Sequence, residues 1–365
     1  MKKFFAEWEK QDGILLSFPH QNSDWLPYLD EVRSTYCEII CAILQVESCL
    51  LVCDYANPTY EYIKSYFDKK SWNLNLLDNL YLIEIPSNDT WARDFGGITI
   101  AKNHQNIVLD FGFNGWGLKF ASNFDNKITR TLSDLKILKK IKTENLILEG
   151  GSIESNGDGL LLTNTQCLLE GNRNPSYSKQ QLAKKLKKTL GIQKILWLNH
   201  GYLAGDDTDS HIDTLARFVG KNTIAYVECT DKQDAHYPAL LAMKKELKNL
   251  RNLQDKPFKL VALPFVSAKY YDEERLPATY ANFLFLNGAI LLPIYQDSND
   301  NLALEMLQKA CPKHKVIPID CSVLIRQHGS LHCISMQFPK GTLNFNALKN
   351  FSIKNLKSKD FPKNP

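Results

Sequence analysis

Short apolar, β-branched runs recur along the whole chain, and they limit its fold more than any other feature. They are "CLLVCDY", "LYLIEI", "NLILEGG", "GLLLTN", "KILWLN", "TIAYVE", "KLVALPF", "YANFLFLNGAILLPIY", "KVIPID" and "LHCISMQF". Their lengths and flanks read as strands. Helical patterns lie between several of them: Leu29–Leu44, "SKQQLAKKLKKTLG" with a Ser start and a Gly stop, "YPALLAMKKELKNL" and "NLALEMLQKA". The expectation is α/β with many short strands. "LILEGGSIESNGDGLLLT" reads as a hairpin joined at "NGDG", so the sheets are mixed rather than all parallel. No repeat shows at a fixed period, but a strand–strand–helix–strand rhythm leaves room for a structural one.

Composition removes several function classes. The 365 residues suit one large domain or two ordinary ones. At 44% hydrophobic and 23% charged the chain can build a sizeable core. A formal charge of +4 is too small to imply nucleic acid. The lysines at 139–140, 184–185 and 187–188 read as solvated helix faces, and no nucleic-acid signature is present. The N-terminus "MKKFFAEWEKQDGILLSF" is not a signal peptide, because Glu7, Glu9 and Asp12 interrupt the apolar stretch. No run is long and apolar enough to span a bilayer, so no membrane partner is expected. Nine cysteines without a Cys-x-x-Cys pair suit buried free thiols in a cytoplasmic, reducing compartment. No linker divides the chain: residues 1–352 are expected as a single domain and 353–365 as a polar, lysine-rich, frayed tail. The oligomeric state is not fixed by the sequence; a homodimer is left open.

Chemistry gathers at strand ends. "NDTWARDFGG" holds Trp91, Arg93 and Asp94; "LEGGS" holds Glu149; "QHGSLHCIS" holds His328, His332 and Cys333. "GYLAGDDTDSHIDT" surrounds His211 with Asp206, Asp207, Asp209 and Asp213. A metal, a cationic ligand and a solvated loop would each explain so many carboxylates. As an EF-hand the loop fails: counted from Asp207, Ile212 and Phe218 fall where Gly and Glu are required. Zinc on His328 and His332 needs a helix, but Gly329 and Ser330 sit between them and the flanks read as strand. If "DSHIDT" is a strand, His211 and Asp213 share a face. A guanidinium suits the carboxylates: it is planar and matches paired carboxylate forks, and Trp91 would stack on its face. Its carbon is a poor electrophile, for which a thiolate is a sensible attacker. Each residue alone also has a plain reading: a buried strand cysteine, a polar loop histidine, an ion-paired aspartate, a hairpin glutamate, core tryptophans.

Taken together and in order, these motifs resemble the agmatine deiminase / bacterial peptidyl-arginine deiminase family. The matching pieces are "AEWEKQDGILLSFP", "NDTWARDFGGITI", "FGFNGWGLKF", "LILEGGSIESNGDGLLLTNTQCLLEGNRNPS", "DDTDSHIDTLARF", "YANFLFLNGAILLPIY" and "HGSLHCISMQFP", spread over almost the whole chain. The resemblance implies a pentein fold, a five-bladed α/β propeller of strand–strand–helix–strand modules with a central active site. By the family's pattern Cys333 is the nucleophile, His211 the general acid and base, and Glu149 its partner. Asp94 and Asp213 bind the guanidinium; Trp91 and Asp207 align with positions that contact substrate. The implied reaction is hydrolysis of agmatine to N-carbamoylputrescine and ammonia through a covalent thiouronium, with no metal or organic cofactor. The chain departs from the family at three places. "QHGSLHC" replaces the commoner Gly-Gly-Gly-Asn-x-His-Cys, Ser210 stands where Gly is usual, and Gly97 stands where Pro is usual. These loops shape the tail pocket, so free arginine and peptidyl arginine stay open as substrates, as does a non-catalytic binding protein.

Overall fold

In the computed structural model, residues 2–356 are described. Five sheets carry one recurring unit. Each opens with a strand antiparallel to a second, and the second pairs in parallel with a third. Parallel neighbours need a long crossover, usually a helix, and that need sets the rhythm seen in the sequence. Blade one is Ile98–Lys102, Gln105–Gly112 and Ile141–Ile147, with Lys2–Phe4 added antiparallel to its first strand. Blade two is Ile153–Ser155, Leu160–Asn164 and Lys194–Leu198, crossed by the helix Lys179–Leu190. Blade three is Ala216–Gly220, Thr223–Glu228 and Lys259–Pro264, crossed by Tyr237–Asn249. Blade four is Leu284–Leu286, Ala289–Ile294 and Lys315–Asp320, crossed by Asp300–Ala310.

Blade five draws on both ends of the chain. Its first strand, Ser335–Pro339, pairs antiparallel with Gln11–Ser17. That strand continues in parallel to Ser48–Cys53 across the helix Leu29–Leu44, and on to Leu80–Glu84 across Ala56–Lys69. Buried strands of this kind need apolar residues on both faces, and every residue of Ser48–Cys53 is buried. The helix Lys179–Leu190 starts and stops as its sequence predicts. Ser178 and Gln181 form a reciprocal capping box, and Gly191 takes the left-handed C-terminal position at φ +81°.

All nine cysteines are buried free thiols. Among the described residues no helix is long and apolar enough to cross a membrane. Ile353–Leu356 form a helical turn with Ile353 buried and Lys354 paired to Asp78. The rest of the expected tail, from Lys357 onward, lies outside the described residues.

Candidate active site

Each blade's first strand is preceded by a short polar segment, and the five segments meet. Hydrogen bonds run from blade to blade and close the ring. The Gly151 amide donates to Asp94 Oδ1 (2.9 Å), joining blades one and two. Glu149 Oε2 lies 3.0 Å from His211 Nε2, joining two and three. Asn282 Nδ2 donates to the Asp213 carbonyl (3.4 Å) and to Cys333 Sγ (3.3 Å), joining blade four to three and five. The Arg93 amide donates to the Cys333 carbonyl (3.0 Å) and returns to blade one. Polar groups this deeply buried require such partners.

Asp94, Glu149, His211, Asp213 and Cys333 are therefore brought together, all buried. The local backbone differs from the sequence reading in two places. His211 and Asp213 do not lie on a strand; a 3-10 turn at Ile212–Thr214 precedes the strand. Likewise "LHCISMQF" is strand only from Ser335, and Cys333 lies in the turn ahead of it. Apolar alternation continues through both turns because they too are buried, so periodicity alone does not separate them from the strands. Gly151 explains the glycine pair after Glu149. A Cβ there would lie 2.6 Å from His211 Nδ1 and 3.0 Å from both Asp213 Oδ2 and Asp94 Oδ1.

Above the five residues is a cavity of ≈ 120 Å³, lined by Trp91, Trp116, Asp207, His328 and others as well as Asp94, His211 and Cys333. Its other carboxylates are Asp24, Asp89 and Asp206, and its lining contains no lysine or arginine. A larger cleft of ≈ 610 Å³ shares the Asp24, Asp89 and Trp116 wall but contains no cysteine. Asp94, His211 and Cys333 line the smaller one. Trp91 lies against Gly329, where a Cβ would meet the indole at 2.1 Å, and its Nε1 donates to Asp89 (3.1 Å).

The four loop aspartates divide their work. Asp213 lies in the site and Asp207 in the cavity wall. Asp206 accepts the Thr208 and Ser210 amides and so holds the loop. Asp209 pairs with Arg173 (2.7 Å) and Lys119 (2.8 Å).

Sequence reasoning misses four groups. Asn282 accepts the His332 and Cys333 amides on Oδ1 (2.8 and 3.3 Å). Arg173 donates to both oxygens of Glu149 (3.0 and 2.8 Å). Trp116, which its sequence context marks only as a core aromatic, donates from Nε1 to Asp94 Oδ2 (2.9 Å). His332, whose spacing suggests only a zinc ligand, bonds Asp213 instead. For Asn282 a signal exists: it is the polar residue ahead of the strand in "YANFLFLNG", the same place the other four blades use.

The electrostatics follow from burial. Burial raises the Asp94 carboxyl to about 6; the His211 charge opposes this and the carboxylates of Glu149 and Asp213 add to it. Burial also works against protonated His211, but the neighbouring Asp94, Cys167 and Glu149 hold it well above the usual histidine value. Glu149 is buried, yet its hydrogen bond and charge contact with His211, together with Arg173, keep it below the ordinary range. Cys333 is pushed well above a normal thiol, first by burial and then by Asp213 and Asp94. Asp207 is raised by burial, against the pull of His328. Within these five side chains, two buried atoms have no hydrogen-bond partner: His211 Nδ1 and Asp213 Oδ1. Glu149, Cys167 and His211 present donor atoms close together. The Arg173 guanidinium already occupies both Glu149 oxygens, so a metal ion there would meet a fixed positive charge.

The Porphyromonas-type peptidyl-arginine deiminases match residues 3–339. An agmatine deiminase of Ectopseudomonas mendocina is 29% identical over 358 residues, covering 92% of this chain and 94% of that protein. One of Pseudomonas fluorescens is 28% identical over the same shares. A cysteine-to-serine variant of the C. jejuni agmatine deiminase with substrate bound superimposes with a TM-score of 0.86 at 43% identity, over 94% of this chain and 97% of that one. Five closed blades, one polar segment from each, and a match along nearly the whole length lead to one assignment: this chain is a member of the Porphyromonas-type peptidyl-arginine deiminase family.

Proposed function

We propose that this protein hydrolyses agmatine to N-carbamoylputrescine and ammonia, with Cys333 as nucleophile. The observation that carries the choice of substrate is the charge of the cavity. Its lining offers five carboxylates and no lysine or arginine. A guanidine whose other end is an ammonium meets favourable charge at both ends. Free arginine would bring a carboxylate into the same acidic, enclosed space with no lysine or arginine to pair it, at a large desolvation cost. The named relatives are agmatine deiminases, which supports the same reading.

The guanidinium docks between Asp94 and Asp213, where Asp213 Oδ1 lacks a partner, and Trp91 forms the wall beside it. Asp207 faces the substrate's ammonium tail. The incoming cation offsets the two carboxylates that hold Cys333 as a thiol, and the thiol proton leaves to solvent. The thiolate bonds to the guanidinium carbon. His211, protonated and held by Glu149, donates its proton to a departing nitrogen; the C–N bond breaks and ammonia leaves, giving an S-alkylthiouronium. Neutral His211 then takes a proton from water as the water oxygen bonds to the same carbon. The C–S bond breaks as the remaining hydroxyl proton passes to the sulfur, so the ureido carbonyl forms, the product leaves and the Cys333 thiol returns.

Mass spectrometry of acid-quenched protein after mixing with agmatine tests the reading. A covalent adduct on the Cys333 peptide is expected, and Cys333→Ala is expected to lack both adduct and turnover while keeping its thermal midpoint. An adduct on another cysteine, or full turnover by Cys333→Ala, contradicts it.

A further inference from the structure

Below the site the polar network continues, and none of the steps above uses it. His332, next to Cys333, is buried. Its Nδ1 lies 2.7 Å from Asp213 Oδ2 and its Nε2 lies 2.6 Å from Glu7 Oε1. Glu7 is a hub on the N-terminal segment: it also pairs with Arg217 (2.6 Å) and Arg93 (3.2 Å). Arg217 binds Glu154 and donates to the Phe283 carbonyl (2.7 Å), so the hub is tied to blades two, three and four.

Asp213 uses its two oxygens differently. Oδ2 receives the imidazole, while Oδ1 has no partner. Among the described residues His332 is the one side chain that donates a short hydrogen bond to this carboxylate; the Cys333 sulfur is at 3.8 Å. Asn282 reaches only the Asp213 carbonyl. An unprotonated Nδ1 at this distance would set a lone pair against a carboxylate oxygen, so Nδ1 carries hydrogen. The surrounding charges agree. Arg93 and Arg217 face Glu7, Glu154 and Asp213, two cations against three carboxylates, which favours a hydrogen on the ring nitrogen that faces Asp213. Burial and the two guanidinium groups pull the ring's basicity below the usual histidine value, and Glu7 and Asp213 pull against them.

We propose that His332 is a positioning residue for guanidine hydrolysis: clamped by Glu7, it donates from Nδ1 to Asp213 Oδ2 and so fixes the rotation of this carboxylate beside the Cys333 sulfur. This rests on the reading of Asp213 as a guanidinium anchor. A carboxylate free to rotate would share its charge between both oxygens and offer neither at a fixed distance. Misplacement on the ångström scale costs a reaction about 10²-fold.

Two substitutions separate the two ends of the ring. His332→Asn can keep a donor at the Nδ1 position and loses the link to Glu7. His332→Gln can keep the link to Glu7 and loses the donor to Asp213. Positioning predicts that His332→Asn stays within about tenfold of wild-type kcat/KM, whereas His332→Gln loses about 10²-fold, mostly as a raised KM for agmatine. A structural role through Glu7 predicts the reverse order, and equal losses in both also overturn the proposal. Histidine ¹⁵N spectra of the wild-type protein give a readout that needs neither turnover nor a variant. A protonated Nδ1 is expected for His332, and a bare one overturns the proposal. Wild-type protein that releases no ammonia from any guanidine sinks the functional reading, and the spectrum still decides the hydrogen bond.

Discussion

Ser210 sits at φ +69° and His328 at φ +65°, a left-handed backbone that glycine adopts without cost. Both are places where the family commonly uses glycine. A side chain there costs about 1–2 kcal/mol, and what Ser210 gains in return is small: its hydroxyl is 3.5 Å from Gln166. Ser210→Gly is therefore expected to raise stability by about 1 kcal/mol, read from chemical denaturation; a loss would show that the hydroxyl contributes more than its distance suggests. Gly97 has a different basis. Val108 and Thr129 already fill the space where its Cβ would go, at 2.3 and 2.8 Å. Titration of Asp94 gives a second prediction. Its carboxyl is raised to about 6, so below that pH an incoming cation must displace a proton. KM for agmatine should fall as pH rises through about 6, and a KM flat from pH 5 to 7 would place the guanidinium elsewhere. Asp94, Glu149, His211, Asp213 and Cys333 are legible in the sequence because each stands in a motif. Arg173 and Trp116 are not: their roles arise from long-range contacts with Glu149 and Asp94, and no local spacing encodes them.

Elements are legible where a local rule fixes them. A serine start and a glycine stop mark Lys179–Leu190 in the sequence, and both act as caps in the fold. The "NGDG" hairpin pairs Ile153–Ser155 with Leu160–Asn164 as expected. The helix Ala56–Lys69 has no side-chain cap at its start and carries Pro58 in its first turn, so its sequence announces it less plainly. The turns at Ile212–Thr214 and around Cys333 pass for strands because burial on all sides imitates one. Those turns place His211, Asp213 and Cys333 at the strand ends rather than within a ladder, which leaves their side chains free for chemistry. Ser178→Ala removes one half of a reciprocal cap on a helix that contributes no residue to the cavity lining. It should cost about 1 kcal/mol and leave kcat/KM unchanged. A matching fall in activity would mean that the helix Lys179–Leu190 bears on the site.

At the scale of the whole molecule the decisive contact is Ser335–Pro339 against Gln11–Ser17. It joins the two ends of the chain, and Cys333 lies two residues ahead of Ser335. The ring of hydrogen bonds through Asp94, Gly151, Glu149, His211, Asn282 and Cys333 closes only if this strand is in place. A chain ending before Ser335 should lose the wild-type cooperative unfolding transition. Survival of that transition would mean that four blades hold together without the fifth's first strand. The strand runs and the "NGDG" hairpin can be read from sequence. Closure by a strand from the far end cannot, because it is a non-local pairing.

Ammonia release measured side by side with agmatine, free arginine and a blocked arginyl peptide, for wild type and Cys333→Ala, tests the central claim most directly. Turnover of agmatine is expected to lie well above that of arginine, with no turnover of the peptide and none of any by Cys333→Ala. Preference for arginine or the peptide would contradict the reading of the acidic cavity, and release by Cys333→Ala at the wild-type rate would contradict the thiolate chemistry itself.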